Sequence, residues 1–299
     1  MARFFELPKK WGKKAKHSIN FSLQICLKPS AKEGIELDFQ LQNKVAFVTG
    51  GSRGIGRAVA LKLAGEGANV VLCGRTEENL IRTVSELEAK GVQAWGLKAD
   101  VSKMEHIEKF VGTALEKAGR VDILVNNAVT STSAPFDTLT DEEFRYHIDV
   151  KLMAYIRIAR LVLPHMIEQD GGRIINIGGM TARVTAPLRM TNGVVNAGVG
   201  NFTKQFSGYA ARYNVTVNCI HPGYTMTERV TQIFEREAEE DGLTIDEIIA
   251  KHVEEIPLGR LIQPEDIANA VLFFCSPLAN MLTGQSIAVD GGSSQAVIY

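Results

Sequence analysis

The chain has 299 residues, 45% apolar and 22% charged, with a formal net charge of −1. That length holds one large α/β domain with an appendage, or two small domains, and the composition is that of an ordinary globular chain. Residues 1–32 carry eight Lys/Arg against one Glu, which leaves the remainder at −8; an acidic body argues against a nucleic-acid partner, and no apolar run approaches the ~20 residues of a membrane span.

Residues 1–41 lie outside the repeating pattern that follows and are read as a basic N-terminal extension. Arg3-Phe4-Phe5 and Lys9-Lys10-Trp11-Gly12-Lys13-Lys14 lack the continuous apolar stretch of a secretory signal. Organellar leaders are Arg-rich where this arm is Lys-rich, so organellar targeting stays open. Lys mixed with Phe and Trp suits peripheral contact with an anionic membrane or an acidic partner. The plain alternative is an arm draped on the surface.

From Lys44 onward, short apolar runs alternate with amphipathic segments. Val45–Val48 reads as a buried strand, followed by a Gly-rich turn and a helix carrying Ile55, Val59, Ala60 and Leu63. Val70–Leu72 is the next strand, then a helix over 77–90. Ala94–Leu97 is a third strand, then a helix over 107–118. Ile123–Val125 is a fourth, then a long helix over 144–169. Ile174–Ile177 is a fifth, then a long helix over 192–211. Val215–Ile220 is a sixth and Ser286–Val289 a last. Continuous apolar strands separated by helices imply a parallel sheet covered on both faces, hence a single doubly wound α/β domain of Rossmann type over 42–299. The acidic stretch at about 228–257 reads as a helical flap; Thr244 is a plausible N-cap for a lid helix with Asp246 and Glu247 in its first turn. Cys26, Cys73, Cys219 and Cys275 have no metal-ligand spacing. They read as free thiols of a reducing, cytoplasmic compartment, and no metal site is expected.

Thr49-Gly50-Gly51-Ser52-Arg53-Gly54-Ile55-Gly56 follows the first strand and opens the first helix. Such a turn lets the backbone approach a pyrophosphate, and the helix N-terminus supplies N–H groups and a positive dipole end. Asp100-Val101, Asn126-Asn127-Ala128, Pro222-Gly223-Tyr224-Thr225-Met226-Thr227 and Gly284-Gln285 to Asp290-Gly291-Gly292 follow in order. Together these motifs resemble the short-chain dehydrogenase/reductase superfamily over roughly residues 42–295, in particular members similar to 3-oxoacyl-acyl-carrier-protein reductases. By that resemblance Gly50, Ser52, Arg53, Gly54, Ile55 and Gly56 hold phosphates. Asp100 and Val101 border the adenine, and Asn127 and Ala128 line the cofactor cleft, with Val129 where a third Gly is usual. Pro222, Gly223 and Thr227 hold the nicotinamide end. The resemblance also implies a homo-tetramer or dimer and a small-molecule substrate.

Charge sets the cofactor expectation. NAD sites place an acid at the end of the second strand to bind ribose hydroxyls, whereas this chain has Cys73-Gly74-Arg75-Thr76 there. Arg75 and Arg53 favour a bound 2′-phosphate, hence NADP(H).

The catalytic half departs from the family. The resemblance implies an Asn, a Ser, a Tyr and a Lys; their places are taken by Lys151, Gly179, Asn192 and Asn196. No Tyr occurs between Tyr155 and Tyr209, no Lys between Lys151 and Lys204, and no Ser between Ser133 and Ser207, so no shifted alignment restores the set. An Asn amide hydrogen-bonds but cannot act as a general acid, and losing such a group costs ~10²–10⁴-fold in rate. Three readings follow. One is hydride transfer in a rebuilt site to an acceptor needing little protonation, such as an enone, enoyl thioester or iminium. In it Lys151 replaces the lost cation, Asn192 and Asn196 polarise a carbonyl from one helix face, and Thr181, Arg183, Arg189, His147, His221 and Tyr224 are further candidates. The others are non-redox chemistry (lyase, hydratase or cyclase) and an inactive cofactor-binding subunit. A lysine snorkelling to the surface is the alternative for Lys151.

Overall fold

A computed structural model describes residues 27–29 and 35–295. Most of the basic extension read at 1–41 lies outside the described residues, Cys26 with it. The chain divides into two compact units, residues 1–38 and 39–299. In the first, β1 (Leu27–Pro29) and β2 (Ile35–Leu37) pair antiparallel, with Leu27 opposite Leu37.

The second unit alternates strands and helices. It begins β3 (Val45–Thr49), α1 (Gly54–Gly65), β4 (Asn69–Gly74), α2 (Glu77–Glu88), β5 (Ala94–Lys98), α3 (Met104–Ala118) and β6 (Ile123–Asn126). It continues α4 (Asp141–His147), α5 (Ala154–Glu168), β7 (Gly172–Ile177), α6 (Met190–Ala210) and β8 (Val215–Pro222). It ends α7 (Glu228–Asp241), α8 (Ile245–Glu254), α9 (Pro264–Cys275) and β9 (Ser286–Val289). The seven strands β3–β9 are all parallel, in the order β5-β4-β3-β6-β7-β8-β9.

Both sheet faces are apolar because both are covered. Ala46 and Val48 join the core that holds Val59, Leu63 and Val271 of α1 and α9. Their neighbours Val45 and Phe47 join Ile107, Phe110 and Ile158 of α3 and α5. Each such side chain, fully buried, contributes about 1.5–3 kcal/mol. The chain winds outward from β3 to β5, returns to β6, and winds the other way; a crevice opens where the order reverses, between the carboxyl ends of β3 and β6.

The helix expected over 144–169 is not continuous. Thr140 starts α4 three residues earlier with a capping box: its Oγ1 accepts the Glu143 N–H at 3.2 Å, and the Glu143 carboxylate accepts the Thr140 N–H at 3.0 Å. A π-helical turn, Ile148–Met153, then separates α4 from α5. Such turns arise where a side chain is re-aimed, often at a functional site; this one turns Lys151 inward. Thr244 caps α8 as expected, its Oγ1 accepting the Glu247 N–H. α8 packs on α7 through His252, stacked on Phe234 at 4.6 Å and bonded to Glu237 at 2.9 Å. No helix among the described residues is long and apolar enough to cross a membrane.

Candidate functional site

The turn after β3 is built for close approach. Gly54, which opens α1, has φ +51°, a conformation that L side chains avoid. A Cβ at Gly56 would lie 2.2 Å from the Gly50 carbonyl oxygen and 2.5 Å from Asn127 Nδ2. Only glycine at 56 lets the helix start against the strand end. Asn127 ties the turn to β6: its Nδ2 donates to the carbonyls of Thr49 and Gly50, both at 3.0 Å, and its backbone N–H donates to Thr49 Oγ1 at 2.9 Å. No side chain caps α1 at Arg53, which leaves its first N–H groups for an anion.

One cleft runs across these strand ends. Gly50, Ser52, Arg53, Gly54 and Ile55 line it from the turn, and Arg75 from the end of β4. Asp100 and Val101 line it from beyond β5, Asn127 and Ala128 from beyond β6, and Thr227 from the start of α7. Gly56, Pro222 and Gly223 are not on its wall; Gly56 is buried in α1, and a Cβ at Gly223 would lie 2.9 Å from Asp290 Cα. Burial alone would push the Asp100 carboxyl up. The Ser102 backbone N–H and hydroxyl, with the charges of Arg75 and Lys103, outweigh it and hold the group below its ordinary value. Among the described residues neither Arg53 nor Arg75 is in a salt bridge; Arg75 reaches the Tyr146 hydroxyl at 3.4 Å. The donor set therefore fits a dinucleotide with an extra phosphate: a helix N-terminus at the turn, and two guanidiniums without a salt bridge where a ribose acid is absent.

The inner end of the site lies beyond β7 and β8. Lys151 is 5% exposed, so it does not snorkel. Its Nζ donates to the Gly178 carbonyl at 2.8 Å. Burial draws its ammonium down to about 7, with the Arg229 charge acting in the same direction. Asn196 is buried, and its Nδ2 donates to Thr181 Oγ1 at 2.8 Å while its Oδ1 has no partner among the described residues. Asn192, one turn earlier on α6, is half-buried. Thus Asn196 meets the backbone beside Gly179 and Lys151 meets it beside Gly178, while neither they nor Asn192 line the cleft.

A Cβ at Gly179 would lie 2.5 Å from Asn196 Nδ2. The glycine and the asparagine therefore fit one another. Gly179→Ser is expected to cost about 1–3 kcal/mol by overpacking, and much less in an Asn196→Ala background. A double-mutant cycle on urea unfolding reads that coupling; additive effects would show that the two positions are independent.

Beneath them, His221 Nε2 meets Ser286 Oγ at 2.8 Å and its Nδ1 meets the Gly179 backbone. Burial, and then the Arg183 charge, lower His221 to about 4, so it is neutral near pH 7. His147 is buried against Thr132 Oγ1 at 2.9 Å, and burial lowers it too. The Tyr155 hydroxyl faces the carbonyls of Ala128 and Ile177, at 3.2 and 3.1 Å, and buttresses the ends of β6 and β7. Tyr146 and Arg229, both on the cleft wall, escaped the sequence reading. Arg229 carried a signal, being a cation in the first turn of a helix, where the dipole disfavours it.

Residues 50–294 match the family described as enoyl-(acyl carrier protein) reductase. Short-chain reductase protein NovJ of Streptomyces niveus is 36% identical over 252 residues, 84% of this chain and 94% of NovJ. The 3-oxoacyl-(acyl-carrier-protein) reductase FabG of Aquifex aeolicus is 35% identical over 86% of this chain and 99% of its own. The structure of L-sorbose reductase from Gluconobacter frateurii, complexed with NADPH and L-sorbose, matches with a TM-score of 0.85 at 30% identity, covering 87% of this chain and 100% of that one.

Proposed function

Because the chain belongs to the short-chain dehydrogenase/reductase superfamily, we propose that it is an NADP(H)-dependent oxidoreductase whose catalytic site has been rebuilt. Its acceptor is activated, an enone, enoyl thioester or iminium, rather than a simple ketone. NADPH, when bound, supplies the hydride. Cofactor binding is supported by the NADPH-bound sorbose reductase and by the guanidiniums of Arg53 and Arg75, which line the cleft without a salt bridge among the described residues. In this reading Gly50, Ser52, Gly54 and Ile55 cradle the pyrophosphate. Gly56 lets them do so, Asp100 and Val101 border the adenine, Asn127 and Ala128 line the cleft, and Pro222, Gly223 and Thr227 bound the nicotinamide half. Arg53→Ala with Arg75→Ala is expected to weaken NADPH about 100-fold and NADH little. Fluorescence titration of both cofactors checks this, and equal losses would refute the phosphate assignment.

The observation that carries the catalytic proposal is Lys151, a buried amine held under Gly178 while an Asn stands at the family's lysine position. Negative charge gathering on the acceptor's carbonyl oxygen is met by amide and hydroxyl donors from Asn192, Asn196 and Thr181. The field of Lys151 adds to them in a dry site, where charge acts strongly. Asn192 has no proton to give. The enolate of an enone takes its proton from water, a step that needs no acid at that position. A simple ketone forms an alkoxide instead and does need one. NADPH consumption is therefore expected with enones or enoyl thioesters and to be at least ~10²-fold slower with matched saturated ketones. Ketones consumed as fast would overturn the rebuilt-site reading.

A non-redox enzyme or an inactive cofactor-binding subunit is the second reading. It is favoured by the absence of Lys151, Asn192 and Asn196 from the residues that line the cleft. Tight NADPH binding with no consumption would select it. The same proposal places the chain in a reducing compartment, where Cys73, Cys219 and Cys275 stay free, and as an oligomer.

A further inference from the structure

We infer that Arg189 and Arg229 form a subsite for an oxyanion carried by the substrate, so that the acceptor is an acid bearing a carboxylate or phosphate. The inference rests on the reductase reading and names its substrate class.

Arg229 is the second residue of α7 and lies on the cleft wall, partly buried at the positive end of a helix dipole. That is an unfavourable place for a cation. Arg189 ends the short turn Pro187–Arg189, three residues before Asn192, with its guanidinium 6.0 Å from the centre of the Tyr224 ring. Neither guanidinium has a hydrogen bond or salt bridge among the described residues. The contrast within the chain is direct. Arg57 is paired with Glu86 at 2.7 Å, Arg120 with Asp122 at 2.6 Å, and Arg260 with Asp266 at 2.6 Å. Glu228, the carboxylate next to Arg229, also lines the cleft but makes no salt bridge to it; its carboxylate stands 4.0 Å from where a Gly54 Cβ would be, and its charge acts on Arg57.

Burial, and then the like charges of Arg189 and Arg53, lower Arg229 from its ordinary value. Three cations thus act on one another, and none of them is in a salt bridge among the described residues, although Glu228 and Asp100 line the same cleft. Arg53 belongs to the glycine-rich turn and is committed to the cofactor's phosphates. Arg189 lies in the segment between β7 and α6, and Arg229 in the first turn of α7 after β8. Mutually repelling, partly buried guanidiniums are relieved by an oxyanion that accepts from both. The neighbouring Lys151 and His147 feel the Arg229 charge as well, so an anion here also restores the proton affinity of the inner cluster.

The test is calorimetric titration of the protein loaded with NADP+, which has no hydride to transfer, with acetylacrylate, with its methyl ester, and with inorganic phosphate. Acetylacrylate or phosphate is expected to bind about tenfold or more tighter than the ester, with salt weakening the anion alone. Whichever anion is tighter identifies the source. Arg189→Gln and Arg229→Gln should each remove that advantage, with the NADPH affinity of Arg189→Gln unchanged and near-UV circular dichroism native-like. The inference is overturned by equal binding of acid and ester, by no anion binding, or by variants that lose NADPH in step with the acid. Acid binding without NADPH consumption would keep the subsite and remove the reductase reading; consumption indifferent to the acid group would do the reverse.

Discussion

Replacing Lys151 by Met is expected to stabilise the fold while removing most of the activity. Lys151 is buried, and the one contact its Nζ makes among the described residues is the Gly178 carbonyl. In the unfolded chain the amine keeps its proton up to about 10.5, in the fold only to about 7. Between those values the unfolded state binds more protons, so wild-type stability rises with pH across that window; below it the full cost of the buried charge is present. Met fills a similar volume without the charge and gives up one bond to Gly178, worth about 1 kcal/mol. The net gain should be on the order of 1–3 kcal/mol at about pH 6 and should shrink towards about pH 10. Urea midpoints across pH measure it. Turnover should fall by ~10²-fold. A variant less stable at every pH would mean that Lys151 is a net structural asset; unchanged turnover would take it out of the mechanism.

Gly56→Ala should be nearly as severe for binding. The added methyl meets backbone, the Gly50 carbonyl at 2.2 Å, so no rotamer change relieves it. Either α1 or the turn must move, and overpacking of that kind costs about 1–3 kcal/mol. The N–H groups at the start of α1 move with it, and NADPH affinity is expected to fall by about 100-fold or more, since positioned phosphate donors lose their geometry together. Gly65, at the far end of the same helix, has nothing within 4 Å of where a Cβ would stand. Gly65→Ala therefore controls for helix propensity, and a small stabilisation with intact binding is expected there. Comparable NADPH loss in both variants would refute the close-approach account.

The strands and the glycine-rich turn were legible because their signals are local. Val45–Thr49 is apolar without interruption, and Gly50 to Gly56 stands directly between strand and helix. That the sheet is doubly wound followed from the handedness of its crossovers. The inner site was legible as residue identities but not as geometry. The sequence around 151 reads as one continuous amphipathic helix; the π turn that sends Lys151 inward depends on packing between α4, α5 and α6. The fit of Asn196 against Gly179 joins positions on different elements and has no local signature. The partnerless state of Arg189 and Arg229 depends on where Glu228 points, which periodicity does not encode. The thiols of Cys73 and Cys275 were read as free; burial pushes both up to about 12, so they pack as inert apolar groups.

Whether this chain still moves a hydride is read by label transfer. NADPH carrying deuterium at its transferable position is incubated with the protein and acetylacrylate, and the product is examined by mass spectrometry and NMR. Deuterium is expected on the carbon β to the ketone carbonyl, with the neighbouring carbon protonated from solvent. A product without deuterium, or bound NADPH that is never consumed by any enone or enoyl thioester, would contradict hydride transfer.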